Sequence, residues 1–305
     1  MSAREGGDVS LEEARTDRHI LVDVRALLPE LRPSEHRIAE LFLATPEAAA
    51  TWPIGEVAAR CGTSTTSVVR FFRRLGYEHY RDWQMDVLRE VTRESLSAAA
   101  LPDASGDINR TDTPADIVAK ISLAETLSIA DTAVALEVTA LGRAIAAVAR
   151  AERIDIFGMG ASSIVGLDLQ QKLTRIGRTA LTWSDSHSAW TAAATLHPAA
   201  VALAVSHSGT TADTIAFLDL ARRSGATTIA LTNHAGAPLS QYADITLTTA
   251  ARETVFRSGA LGSRIAQLMV IDCLFIGVAQ TNYDQSLAAL RDTYAAVQHH
   301  VRIDR

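Results

Sequence analysis

The sequence predicts two domains of different class: an N-terminal all-α helix-turn-helix bundle, then a doubly wound α/β domain with a mostly parallel sheet. Three observations carry this. Between Pro33 and Leu75, short helical segments are separated by tight turns. Residues 97–113, SAAALPDASGDINRTDT, are small, polar and interrupted by Pro102, the composition of a linker. From Arg153 onward, short apolar strands alternate with helices, which implies parallel crossovers and helices on both faces of an open sheet. A length of 305 residues fits two domains at about 100–200 residues each. The expected division is a disordered tail over 1–20, the bundle over 21–95, a linker over 96–115 and the α/β domain over 116–305.

Within the bundle, Ser34 precedes a helix whose periodicity runs through Ile38, Leu41 and Phe42. Thr51-Trp52-Pro53 opens a short helix, Ile54 to Arg60, with proline near its first position. Cys61-Gly62-Thr63 forms a tight turn. Ser64 caps a third helix from Thr65 to about Leu75, which Gly76 ends. After the linker, Leu123, Leu127, Ala130, Val134, Val138, Leu141, Ile145 and Val148 recur at steps of three or four. That stripe predicts one or two amphipathic helices, packed on the following domain or forming a dimer seam. Strands are expected at Ile154–Phe157, Val201–Val205, Thr228–Leu231 and Ile245–Thr248. Helices are expected from the GMGASS turn through Leu173, from about Thr211 to Arg223, and over Leu261–Val278, which is apolar nearly all round.

Composition narrows the function. Hydrophobic content of 48% and charged content of 21% suit a globular chain with a real core. A net charge of -6 argues against a uniformly basic surface and leaves room for a local nucleic-acid patch. Cys61 and Cys273 are too few and too far apart for a disulfide framework or a CxxC metal site, and reduced thiols point to a cytoplasmic setting. The N-terminal stretch MSAREGGDVSLEEAR has no apolar run, so no signal peptide is expected. No uncharged apolar stretch reaches the ~20 residues of a membrane span. His187, His197 and His207 lie at ten-residue spacing with no helical i, i+4 pair, so they are expected to be loop and surface residues and no metal is expected.

The third helix of the bundle carries chemistry. Val68, Phe71, Phe72 and Leu75 form its apolar face, with Thr65, Thr66, Arg70 and Arg73 on or near the opposite one. A recognition helix presents its N-terminal residues to base edges in the major groove, where hydroxyls and arginines can bond. Arg60, Arg70, Arg73, Arg74 and Arg81 stand against Glu78 alone, the local charge that phosphate contacts need. The candidate DNA-contacting set is Ser64, Thr65, Thr66, Ser67, Arg70, Arg73 and Arg74. An ordinary helical bundle with solvated arginines is the plain alternative. Residues 32 to about 93, from RPSEHRIAELFL through IGEVAARCGTSTTSVVRFFRRLGYEHYRDWQ, resemble the DNA-binding domain of the RpiR family of bacterial transcriptional regulators.

Two turns stand out in the α/β domain. Gly158-Met-Gly160-Ala-Ser162-Ser163 follows the first strand, and Ser206-His-Ser208-Gly-Thr210-Thr211 follows the Val201–Val205 strand. A helix N-terminus at such a turn offers N–H groups to an anion. The first turn is a partial GxGxxG with Ser163 at the third position, and Asp185, the nearest carboxylate for a ribose, lies in a polar loop; no dinucleotide or other cofactor is expected. The second could cradle a phosphate monoester, hold a nucleophilic serine, or merely cap its helix. It lacks the GxSxG elbow, and His234 has no evident acidic partner. Trp183 and Trp190 are expected to pack near the pocket rim.

Together with Leu231-Thr-Asn233, Ala251-Arg-Glu253 and the helix beginning Arg264-Ile-Ala-Gln-Leu, these turns resemble the sugar isomerase (SIS) domain over about residues 116–295. The resemblance implies a three-layer fold of flavodoxin or Rossmann type that binds phosphosugars. It implies a ligand hydroxyl contact by Ser162, with Ser163 beside it. It implies a phosphate wrap by Ser206, the His207 backbone, Ser208 and Thr211. Glu253 matches the carboxylate that faces the sugar and serves as base in isomerising members.

The favoured expectation is a ligand-responsive regulator, not an enzyme. Its partners would be a palindromic double-stranded DNA operator, a phosphosugar effector and further copies of itself, as homodimer or homotetramer, with no membrane. The linker and helices 116–149 would transmit the signal. An aldose–ketose phosphate isomerase using Glu253, and an interaction module with a vestigial pocket, are the alternatives.

Overall fold

The computed structural model describes residues 20–98, 108–252 and 262–301. The chain divides into two compact units between residues 105 and 106.

The first unit is all helical: α1 (Ile20–Leu27), a 3-10 turn (Leu28–Glu30), α2 (Pro33–Ala44), α3 (Pro46–Thr51), α4 (Ile54–Arg60), α5 (Thr65–Arg74) and α6 (Tyr80–Ala98). Ile20, expected in the disordered tail, is fully buried at the start of α1. Residues 1–19 lie outside the described residues. The six-residue α3 was not expected; Pro46 starts it and its Ala49 is fully buried. Trp83 is the centre of this core, with no exposed surface. Its ring stands 4.1 Å from Phe42, 5.6 Å edge-on to Phe71 and 5.7 Å from Tyr80. Aromatic pairs in such tilted geometries add to their burial energy. Arg37 on α2 fixes the helix-turn-helix angle: its Nε donates to the Cys61 carbonyl (2.8 Å) and its Nη2 to that of Gly62 (3.2 Å). Those carbonyls, left over at the end of α4, would otherwise lack partners.

The expected linker is shorter than its composition suggests. Residues 96–98 still belong to α6, and Pro114 already begins α7 (Pro114–Ala135), with Thr113 as its cap. Residues 99–107 lie outside the described residues. After α7 come α8 (Val138–Arg150), β1 (Arg153–Gly158), α9 (Ala161–Arg175), β2 (Ala180–Thr182), α10 (Ser186–Ala193), β3 (Ala200–Val205) and α11 (Ala212–Arg223). Then follow β4 (Thr227–Thr232), β5 (Ile245–Thr248), α12 (Gly262–Thr281) and α13 (Tyr283–Val301). The three-residue β2 and α10 escaped the sequence reading, because neither carries enough period to be seen.

The sheet is wholly parallel in the order β2-β1-β3-β4-β5. The run Ala200-Val-Ala-Leu-Ala-Val205 shows why it is covered on both faces. Val201, Leu203 and Val205 enter one core with residues of α8, α9 and α12. Ala200, Ala202 and Ala204 enter another with Phe217 of α11 and Ala189 of α10. Side chains alternate across a strand, so this strand offers a bulky face to one layer and an alanine face to the other. α12 is long and apolar enough to cross a membrane by composition. It lies in the core of this unit, with Ala266, Val270, Ile271 and Leu274 fully buried.

The amphipathic stripe over 123–148 is only half correct. A bend of 86° separates α7 from α8, and Val134 and Val138 are 48% and 77% exposed. The face of α7 turned inward is instead polar: Ser128, Asp131 and Thr132 are buried. They bind the segment after β5. Thr132 Oγ1 accepts from Ala250 N–H (3.1 Å) and Ser128 Oγ from Arg252 N–H (3.2 Å), and Asp131 accepts from Arg252 Nε (2.7 Å).

Trp83→Ala should cost about 3–5 kcal/mol, the usual range for deleting a fully buried aromatic. Urea unfolding followed by circular dichroism measures it; a loss below about 1 kcal/mol would contradict the central place given to this ring.

Candidate functional site

The helix-turn-helix surface is built on α4 and α5. Ser64 Oγ accepts from Ser67 N–H at 3.2 Å, capping α5 as its type and position require. Val68 and Phe71 are fully buried beneath, so Thr65, Thr66, Arg70 and Arg73 face outward. Two of the expected contact residues are placed otherwise. Ser67 is 5% exposed; its hydroxyl lies 3.1 Å from Ser64 Oγ and accepts from Arg70 Nη2 at 3.4 Å. It supports the cap and faces the core. Arg74 pairs with Glu30 (3.1 Å) and the buried Glu35 (3.8 Å), so its guanidinium ties α5 to the preceding elements. Arg60, on α4, stacks over Trp52 at 3.9 Å and pairs with Glu56 at 2.7 Å.

In the second unit, strand order reverses between β1 and β3, and ligands of open α/β sheets bind outside the carboxyl ends of the strands at such a switch point. Both hydroxyl-bearing turns lie there. With the start of α12 they form a cleft of ≈ 280 Å³, the small end of the range for small-molecule sites. Ser162, Ser206, His207, Ser208 and Thr211 all line it. Ser163 does not; its hydroxyl donates to the Gly160 carbonyl at 2.6 Å. Glu253 lies outside the described residues.

Two glycines make the close approach possible. A Cβ on Gly158 would stand 2.9 Å from the Ser162 carbonyl carbon and 3.0 Å from the Val205 carbonyl oxygen. Gly209 has φ +64°, and its Cβ would meet that of Ala237 at 2.4 Å. The SHSGTT hydroxyls bond within the turn, which orients those of Ser206, Ser208 and Thr211 while they line the cleft. Ser206 Oγ accepts from Gly209 N–H (3.2 Å) and sits 3.2 Å from Thr211 Oγ1, while Ser208 Oγ accepts from Thr210 N–H (3.3 Å). None caps α11, whose N-cap residue Thr211 makes no side-chain cap bond; neither does Gly160 at the start of α9. Elsewhere in this unit Thr113, Glu137 and Asp185 cap α7, α8 and α10. The N-termini of α9 and α11 thus carry no side-chain cap, and a helix N-terminus is a favourable place for negative charge.

The residues behind the cleft are polar and paired. Asn233, 5% exposed, donates its N–H to the His207 carbonyl (3.0 Å). Its Oδ1 accepts from Thr249 Oγ1 (2.9 Å) and Ala251 N–H (2.7 Å). His234 packs 6.1 Å from His207, ring centre to ring centre. Burial, and secondarily the charge of His207, hold its pKa below the ordinary imidazole value.

The plainer roles expected for other residues also find places. Asp185 accepts from Ser188 N–H (2.9 Å) at the head of α10. Trp183 and Trp190 pack on the core at the alanine face, donating to Asp155 Oδ1 (2.8 Å) and the Asp213 carbonyl (3.1 Å); neither lines the cleft. Among the described residues no three His, Cys, Asp or Glu side chains gather as metal ligands. Sequence reasoning missed Ser263, Arg264 and Gln267, which form the third wall of the cleft. The available signal was three polar residues within the first turns of an otherwise apolar helix.

Comparison with known proteins matches residues 19–94 to the helix-turn-helix domain of the rpiR family and residues 147–277 to the SIS domain. An uncharacterised HTH-type transcriptional regulator of Caldanaerobacter subterraneus is 33% identical over 90% of this chain and 95% of its own. The structure of Vibrio vulnificus NanR, complexed with ManNAc-6P, is 28% identical, covering 92% of this chain and 98% of that one with a TM-score of 0.57. The sugar isomerase domain of an RpiR transcription factor from Sphaerobacter thermophilus is 25% identical over 59% of this chain and 98% of its own, with a TM-score of 0.54.

Gly209→Ala should destabilise by at least the ~1–3 kcal/mol of a non-glycine residue in that backbone region, and Ala237→Gly in the same chain should recover part of it; thermal unfolding of both variants measures this. The depressed His234 pKa has a signed consequence. The unfolded imidazole takes up its proton first, so stability should be full above the ordinary imidazole value of 6.5 and fall as pH drops through it toward the folded pKa. His234→Asn should remove that part of the pH dependence in denaturant titrations between neutral and mildly acid pH.

Proposed function

The chain belongs to the RpiR family of helix-turn-helix transcriptional regulators with a SIS domain, and we propose that a phosphosugar bound in its SIS cleft modulates its binding to DNA. One observation carries the ligand side: α9 and α11, two of the helices that start at the cleft, have no side-chain N-cap, while hydroxyls of the turns before them line it. A phosphate monoester bears about -1.5 to -2 charges near neutral pH, which these hydroxyls and helix ends suit. The neighbour bound to ManNAc-6P supports a phosphosugar over an inorganic anion. Ser162, Ser206, the His207 backbone, Ser208 and Thr211 are the assigned contacts. The relative named as a transcriptional regulator and covered over 90% of this chain supports sensing over isomerisation. Incubation with hexose and pentose phosphates should give no interconversion; turnover abolished by Glu253→Gln would establish the isomerase instead.

On the DNA side, Thr65, Thr66, Arg70 and Arg73 are the proposed contacts, with Ser64 holding the helix start. Arginine can read guanine or hold phosphate. Ile164 and Leu167 of α9 and Ile276 of α12 are exposed apolar residues and supply a surface for a second copy of the chain. A two-fold dimer would match a palindromic operator, and the protein would act in the cytoplasm. The effector must favour one of two arrangements of that dimer, since equal affinity for both shifts nothing.

Arg70→Ala with Arg73→Ala should abolish binding to operator DNA in mobility shifts at moderate salt. If both contact phosphates, the salt slope should fall by about 0.9 per contact. Ser206→Ala with Ser208→Ala should keep DNA binding and lose the response to phosphosugar. Retention of the response would return the turn to a structural role.

A further inference from the structure

The wall of the cleft formed by α12 has chemistry that the two hydroxyl turns lack. Arg264 and Gln267 are three apart on one helix, hence neighbours on one face, and both line the cleft. Gln267 is 2% exposed, and its Nε2 is buried with no hydrogen-bond partner. A buried donor left unpaired costs about 1–3 kcal/mol, so native proteins keep few of them without a use. The rest of α12 turns Ala266, Val270, Ile271 and Leu274 into the core, where an amide gains nothing. Among the described residues Arg264 is half-buried, makes no ion pair and is the only Lys or Arg that lines the cleft.

We propose that α12 supplies the discriminating wall of the site, Arg264 drawing the ligand's phosphate and Gln267 donating to an oxygen of the sugar. The inference rests on the phosphosugar reading above and adds a division of labour to it. Charge decides the first assignment. The hydroxyl turns are neutral, and a phosphate dianion in a partly enclosed cleft needs a compensating cation; guanidinium is the group suited to it. Burial decides the second. An amide that gains a partner only when the ligand is present rewards a ligand with an acceptor at that point. A site built around such a group rejects analogues that lack the matching atom. The preferred ligand is therefore a monosaccharide phosphate with a hydroxyl or carbonyl oxygen opposite Gln267.

The test is calorimetric titration of the full chain with inorganic phosphate, glucose 6-phosphate, fructose 6-phosphate and glucosamine 6-phosphate. The wild-type protein should rank the sugar phosphates and bind the best of them more tightly than inorganic phosphate. Arg264→Met should weaken every probe by about tenfold or more, the scale of a charge-assisted bond. Gln267→Leu should leave inorganic phosphate unchanged, weaken the preferred sugar phosphate about tenfold and level the ranking. Thermal unfolding without ligand controls for folding, and Gln267→Leu should be no less stable than wild type, because it removes an unpaired donor. Gln267→Met gives a second, more flexible replacement. Preservation of the ranking in both Gln267 variants, or undiminished binding of all probes by Arg264→Met, would overturn the proposal and leave the phosphosugar reading intact. Failure of every probe to bind the wild-type protein would overturn that reading and this inference with it.

Discussion

A buried polar group is costly unless it is paired, and at the carboxyl edge of this sheet that requirement falls on Asn233. Three stretches of chain end there without a common ladder: the turn after β3, the end of β4 and the strand exit after β5. Asn233 joins them, donating its backbone N–H to the His207 carbonyl and accepting from Thr249 and Ala251 through one amide oxygen. Thr232 Oγ1 donates to the same His207 carbonyl at 3.1 Å. The cradle is therefore held from behind by bonds that leave its front free. A half-satisfied polar network would cost more than an apolar one, so the position of the candidate cleft and the pairing of this edge are one problem.

The same logic explains the inverted polarity of α7. A helix packed on an α/β domain usually turns its apolar stripe inward. Here Ser128, Asp131 and Thr132 face inward because the backbone of Ala250 and Arg252 needs acceptors and the Arg252 guanidinium needs a carboxylate. Val134 and Val138 are left outside. In the first unit, Arg37 does comparable work: one side chain satisfies two carbonyls of the turn and so sets the angle at which α5 is presented.

Much of the candidate cleft was legible in the sequence. Hydroxyls and glycines crowded after an apolar run mark a strand-to-helix turn, and two such turns predict a cleft at a strand edge. The outward face of α5 followed from its period. Other features were not legible. Ser67 and Arg74 have the residue types of DNA contacts, but one lies under the cap and the other reaches Glu30 and Glu35. Ser163 has the type of a ligand contact and bonds its own turn. Short elements such as β2 and α3 hold too few residues for a period to emerge.

Local sequence alone determined the class of each domain, the two turns and the polarity of the recognition helix, because period, capping and glycine placement act over a few residues. Tertiary structure decided what those residues are free to do. It selected which hydroxyls remain in the cleft, which arginines are held in ion pairs, and that Arg264 and Gln267 from the far end of the domain close its third side. The physical reason is that a polar group's role depends on whether folding has already supplied its partner, and the partners here lie up to 124 residues away along the chain.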